Sequence, residues 1–119
     1  MAVNRILVTG ASGFIGRAVL AAFAQRGDAV RAAVRRPPQP PLPAAVEVVQ
    51  HADLTQPIDW RPLLQGVDRV IHLAAVAHMG RSVAPELYDR VNRQATAQLA
   101  AAAATAGVGH FVFISSVAA

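Results

Sequence analysis

Apolar residues fall along this chain in two alternating textures. Short, mostly apolar stretches lie at residues 5–9, 29–34, 46–49, 67–73 and 111–114, and each reads as a strand. Longer stretches between them carry apolar residues at helical spacing. The clearest is residues 14–26, where Ile15, Val19, Ala22 and Phe23 are expected on one face and Gly27 is expected to end the helix. Residues 84–106 read as a long helix, with Pro85 near its first position and Gly107 just past its end. A short helix is expected at residues 60–64, begun by Asp59 as N-cap, with Pro62 in its first turn and Gly66 as its stop. Strands alternating with helices predict an α/β fold: a doubly wound parallel sheet of about five strands with right-handed crossovers. Residues 37–43 (Pro-Pro-Gln-Pro-Pro-Leu-Pro) can be neither helix nor central strand, and read as a stiff extended surface connection. Arg31, inside the second strand, implies that one end or face of that strand meets water.

The first strand–helix junction carries the most specific chemistry. It reads Thr9-Gly10-Ala11-Ser12-Gly13-Phe14-Ile15-Gly16. Gly10 suits the tight turn out of the strand, Gly13 a close backbone approach to a phosphate, and Gly16 a close approach of helix to strand. The unpaired amides and the positive dipole end of the new helix then face a pyrophosphate. The spacing is Gly-x-x-Gly-x-x-Gly, unlike the commoner Gly-x-Gly-x-x-Gly. A purely structural glycine turn is the alternative.

Composition narrows the classes. With 119 residues, 54% hydrophobic and 15% charged, the chain is expected to be one modest folded domain. It has no cysteine, so disulfides and thiolate metal sites are excluded. His51 and His78 have no partner at ligand spacing, so no metal is expected. The net charge of +4 is carried by scattered arginines, with no lysine and few aromatics, which speaks against nucleic acid as a partner. No apolar run spans a membrane and no leader is evident, so a cytoplasmic location is expected.

Four further features follow the glycine turn in order: Asp53-Leu54, Ile71-His72-Leu73-Ala74-Ala75, Asn92 and Ser115-Ser116. Together they resemble the extended short-chain dehydrogenase/reductase family, the NAD(P)-dependent nucleotide-sugar epimerases, dehydratases and reductases. The resemblance covers essentially the whole chain but only about the first third of a typical member. It implies an incomplete NAD(P)-binding domain over residues 1–119, a Rossmann-type sheet with strand order 3-2-1-4-5, with the substrate domain absent. By this resemblance Gly10, Ser12, Gly13, Phe14, Ile15 and Gly16 form the pyrophosphate turn, and Asp53 and Leu54 read the adenine. Leu73, Ala74 and Ala75 let the ribose and nicotinamide lie against the sheet. Asn92 is the structural and active-site asparagine, and Ser116 holds substrate. Residues 67–77 and 111–116 are most similar to UDP-hexose 4-epimerases and C4-ketoreductases. From the residues alone, Asp53 could cap a turn, Asn92 could bond to its own helix or face water, and the two serines could simply end a strand. His72, inside an apolar strand, reads as a satisfied core histidine rather than a catalyst.

Two departures from the family pattern shape the expectation. Where an NAD-preferring member carries an acidic residue, the second strand here ends Val34-Arg35-Arg36, and arginine matches a 2′-phosphate. The cofactor is therefore expected to be NADP or NAD, with NADP favoured through Arg35. The family's catalytic Tyr-x-x-x-Lys is also missing: Tyr88 is the only tyrosine, and Asn92 stands four residues on. The chain alone is expected to be inactive, and a non-catalytic NAD(P)-binding sensor or scaffold is the alternative. The apolar fifth strand, left at an edge, is expected to support a homo-oligomer.

Overall fold

A computed structural model describes residues 5–11, 14–35, 41–51, 58–73 and 85–114, with only the helix backbone over 85–92. Five strands form one all-parallel sheet: β1 (Arg5–Thr9), β2 (Ala29–Val34), β3 (Glu47–Gln50), β4 (Arg69–His72) and β5 (His110–Phe113). Their order is β3-β2-β1-β4-β5, as the family resemblance implies. The helices are α1 (Phe14–Gln25), α2 (Arg61–Leu64) and α3 (Pro85–Ala106).

β1 lies at the centre because both of its faces are covered. Ile6, Leu7 and Val8 are all fully buried, which is why the run is apolar without alternation. Ile6 and Val8 join Val30, Ala32 and Val34 of β2 beneath α1, with Leu42 and Val46 packed on the same side. Leu7, Ala33 and Val70 face the other way, against Leu63 and Leu64 of α2 and Leu99 and Ala103 of α3. The edge strands are barer: Val48 of β3 and Val112 and Phe113 of β5 are exposed.

Both long helices end as their glycines predict. Gly27 takes φ 81°. Its N–H donates to the Ala24 carbonyl at 3.0 Å, and that of Asp28 donates to Phe23 at 3.1 Å, the paired bonds that close a helix C-terminus. At the end of α3, Gly107 donates to Ala104 and Val108 to Ala103 in the same way.

Three expectations need correction. Arg31 does not mark a wet face: it is 5% exposed, on the α2 side of β2. Its Nη1 donates to the carbonyls of Leu63 (2.6 Å), Gln65 (2.9 Å) and Pro62 (3.3 Å), and its Nε to Glu47 Oε1 at 2.9 Å. The carbonyls at the end of a helix have no partner within it, and α2 delivers three of them to one guanidinium. Asp59 is not the N-cap residue of α2; Trp60 is, and helical geometry begins at Arg61. The Asp59 carboxylate still accepts the Arg61 amide at 3.1 Å, from one residue further back.

The buried stripe of α1 also differs from the expected one. Leu20 is fully buried and Gly16 is buried with it, Val19 and Phe23 are partly buried, while Ile15 is 54% exposed and Ala22 is exposed. Gly16 explains the rotation. A Cβ placed there would stand 2.4 Å from the Gly10 carbonyl oxygen and 2.7 Å from the Ala11 Cα. The helix turns its bare position toward the strand end, and Ile15 is carried to the flank.

Candidate functional site

In an open parallel sheet every strand delivers its carboxyl end to the same edge, and the crevice lies where the chain order reverses. Here that switch point is between β1 and β4, since the chain winds from β1 outward to β3 and returns to β4. The register places Thr9 beside His72, His72 beside Phe113, and Val34 beside Gln50. Gly10, Arg35, Leu73 and Ile114, each following a strand, therefore gather along one edge.

Gly10 has φ 64°, the left-handed region that glycine enters freely and a side chain does not. It lets the chain leave β1 and re-enter α1 within a few residues. Gly16 brings the helix down onto that turn, where even a methyl group would collide with backbone. The amides of Phe14, Ile15 and Gly16 open α1 and have no acceptor within the helix. The Phe14 side chain is 92% exposed and that of Ile15 is exposed too, so both lie outside the core beside the turn. A glycine turn held tightly against a helix start fits the pyrophosphate of a dinucleotide. Residues Ser12 and Gly13 of the same turn lie outside the described residues.

Behind the turn lies a polar group in an otherwise apolar layer. Thr9 is fully buried and His72 is 1% exposed. Thr9 Oγ1 lies 2.6 Å from His72 Nδ1, and His72 Nε2 lies 3.1 Å from Thr96 Oγ1 of α3. The Leu73 N–H donates to Thr9 Oγ1 at 3.1 Å. The His72 ring stacks on Phe113 at 5.4 Å. Burial, joined by a smaller effect of the charge of His51, lowers the His72 pKa to about 4. The ring is therefore neutral at pH 7. One nitrogen of a neutral imidazole donates and the other accepts, and a hydroxyl can do either, so both nitrogens are satisfied in either tautomer. His72 is the satisfied core histidine that its place in an apolar strand predicts. Thr9 and Thr96 were missed as its partners. The usable signal was two lone polar residues, Thr9 and His72, each ending an apolar strand.

The other expected site residues are placed only in part. Arg35 is exposed just past β2, and its carbonyl accepts from Gln50 Nε2 at 3.1 Å. Leu73 follows β4 and packs against the α1-side core. Asn92 lies within α3, one turn before Thr96, with its backbone alone described. Asp53, Leu54, Ala74, Ala75 and Ser116 lie outside the described residues. Among the described residues no cluster of side chains could hold a metal ion, and no helix is long and apolar enough to cross a membrane.

Comparison with known proteins agrees with this geometry. A family model described as the NAD dependent epimerase/dehydratase family matches residues 6–119. The chain belongs to that family. It is 36% identical over 119 residues to a 3-beta-hydroxysteroid dehydrogenase of Mycolicibacterium neoaurum, covering 95% of this chain and 32% of that protein. A short-chain dehydrogenase/reductase superfamily protein from Agrobacterium tumefaciens, solved with bound NAD, is 39% identical with a TM-score of 0.72, over 95% of this chain and 33% of its own. MoeE5, solved with UDP-glucuronic acid and NAD, is 34% identical with a TM-score of 0.77, over 95% of this chain and 37% of its own. The chain thus spans about a third of the length of the relatives it matches.

Proposed function

We propose that this chain is the cofactor-binding portion of an NAD(P)-dependent epimerase, dehydratase or reductase acting on a nucleotide-linked sugar, of the UDP-hexose 4-epimerase or C4-ketoreductase type. The observation that carries the reading is the close seating of Gly16 on the Gly10 turn at the carboxyl edge of β1. The amides at the start of α1 would hold the pyrophosphate, and Leu73 with Ala74 and Ala75 would line the nicotinamide side. Asp53 and Leu54 would receive the adenine. When bound, the nicotinamide supplies hydride-accepting and hydride-donating chemistry. Ser116 and Asn92 would hold substrate next to it. With no Tyr-x-x-x-Lys in its sequence, the chain by itself is expected to bind cofactor weakly and without turnover.

The sugar reading is supported by MoeE5, whose complex contains UDP-glucuronic acid with NAD. A second reading, a steroid alcohol as substrate, is favoured by the likeness to 3-beta-hydroxysteroid dehydrogenase. Both substrates offer a secondary alcohol whose carbon can give up hydride, so the cofactor half of the site would serve either. Fluorescence-detected binding of UDP-glucose and of a 3-hydroxysteroid to the longest protein containing this chain separates the two readings.

NADP is favoured over NAD because Arg35, exposed at the end of β2, would meet a 2′-phosphate with its guanidinium. Titration with NADH and NADPH tests the proposal directly. Binding of at least one is expected, and Gly16→Ala should abolish it. Arg35→Asp should shift preference toward NADH, and an unchanged ratio would remove the role given to Arg35. Self-association through the edge of β5, where Val112, Phe113 and Ile114 are exposed, also belongs to the proposal. A monomeric mass independent of concentration by light scattering would overturn that part.

A further inference from the structure

We infer that His72 is a positioning residue for the dinucleotide site: a neutral crossbeam that fixes the floor of the β1–β4 crevice through Thr9 on one side and α3 through Thr96 on the other. This rests on the proposed cofactor-binding reading. Neither ring nitrogen is available to a ligand, because Nδ1 is taken by Thr9 and Nε2 by Thr96. What His72 controls is geometry. Thr9 is the last residue before the Gly10 turn, and its hydroxyl also accepts the Leu73 amide, the first after β4. A single oxygen therefore ties together the two chain ends that border the switch point. The His72 carbonyl accepts the Ile114 amide at 3.1 Å, which adds the end of β5. Through Thr96 the same ring sets where α3 rests on the sheet, one turn from Asn92.

The chemistry suits such a role. Two strand ends joined only by apolar packing can slide by fractions of an ångström. A hydroxyl bonded to a ring and an amide together has one low-energy position, since each buried polar group left unpaired is penalised. A site held in its bound shape before ligand arrives binds more tightly because less is lost in ordering it.

The test uses Thr9→Val, which keeps the β-branched shape and removes the hydroxyl, beside Thr9→Ser, which keeps the hydroxyl. Val46→Ala, in the core under α1 away from the network, serves as a control for lost stability. NADH and NADPH are titrated by calorimetry against each protein, with melting temperature measured in parallel. Thr9→Val is expected to weaken the better-bound dinucleotide about tenfold. Thr9→Ser should restore affinity to within about twofold of the original chain, and Val46→Ala should bind normally despite a lower melting temperature. If Thr9→Val does not fold, Thr96→Val cuts the outer end of the crossbeam and should cost about threefold. Wild-type affinity in whichever of these two variants folds overturns the inference, as does a Thr9→Ser loss equal to that of Thr9→Val, or a Val46→Ala loss of the same size. An original chain that binds neither dinucleotide overturns the cofactor reading itself, and the inference with it.

Discussion

Arg31 and His72 are the two large polar side chains buried in this sheet, and the fold treats them in opposite ways. Arg31 keeps its charge. It lies where a carboxylate and three helix-end carbonyls converge, so its N–H groups find acceptors in place of water. His72 gives up its charge. Its neighbours are two hydroxyls and two aromatic rings, none of them anionic, and His51 adds a further penalty on a proton. A charge survives burial where acceptors surround it, and a titratable group without them goes neutral. The two sites also hold different things: Arg31 joins α2 to β2 and β3, whereas His72 joins the strand ends that form the candidate site.

The contrast is broken most sharply by removing the buried charge. Arg31→Met leaves three carbonyls without a donor and should lower stability by about 3 kcal/mol, read from denaturant unfolding. A loss below about 1 kcal/mol would mean that water reaches those carbonyls.

The pH dependence comes next. His72 has a folded pKa near 4, below the ordinary 6.5. Between those values the unfolded chain binds the proton and the folded chain does not. Stability from this group is complete above about pH 6.5 and drains away as pH falls toward 4, by up to about 3 kcal/mol at about 1.4 kcal/mol per pKa unit. His72→Gln should flatten that part of the pH profile. Arg31→Met should leave its slope unchanged, since arginine holds its charge throughout the range.

The smallest effect is expected at Glu47. Its carboxylate is half exposed, so water replaces much of what Arg31 offers it. Glu47→Gln should cost about 0.5 kcal/mol, shrinking further in high salt. A cost as large as that of Arg31→Met would show that the pair, and not the carbonyls, keeps Arg31 buried.

The elements whose signals are local could be read from the chain. Ile6, Leu7 and Val8 are apolar without alternation because a central parallel strand is covered on both faces, and that pattern needs no knowledge of the neighbours. Gly27 and Gly107 close helices through bonds to residues three to five positions back. Strand ends drifted by a residue or two: Val46 packs in the core just before the β3 ladder begins, and Ile114, just past β5, is exposed. The glycine turn and the close seating of Gly16 were visible as a motif, but the rotation that this seating gives α1 was not. A hydrophobic stripe gives no weight to glycine, yet Gly16 sets the rotation of the helix.

The sequence by itself determined the parallel sheet and the glycine turn at its carboxyl edge, because apolar runs, helix stops and the spacing of three glycines are all short-range facts; the strand order came with the family resemblance those motifs carry. Only the tertiary structure decided that Arg31 is buried, that Ile15 faces outward, and that Thr9, His72 and Thr96 meet. Thr9 and His72 are 63 residues apart, and His72 and Thr96 are 24 apart. Whether a polar side chain finds a partner at such separations depends on how strands and helices stack in space, which no local pattern carries.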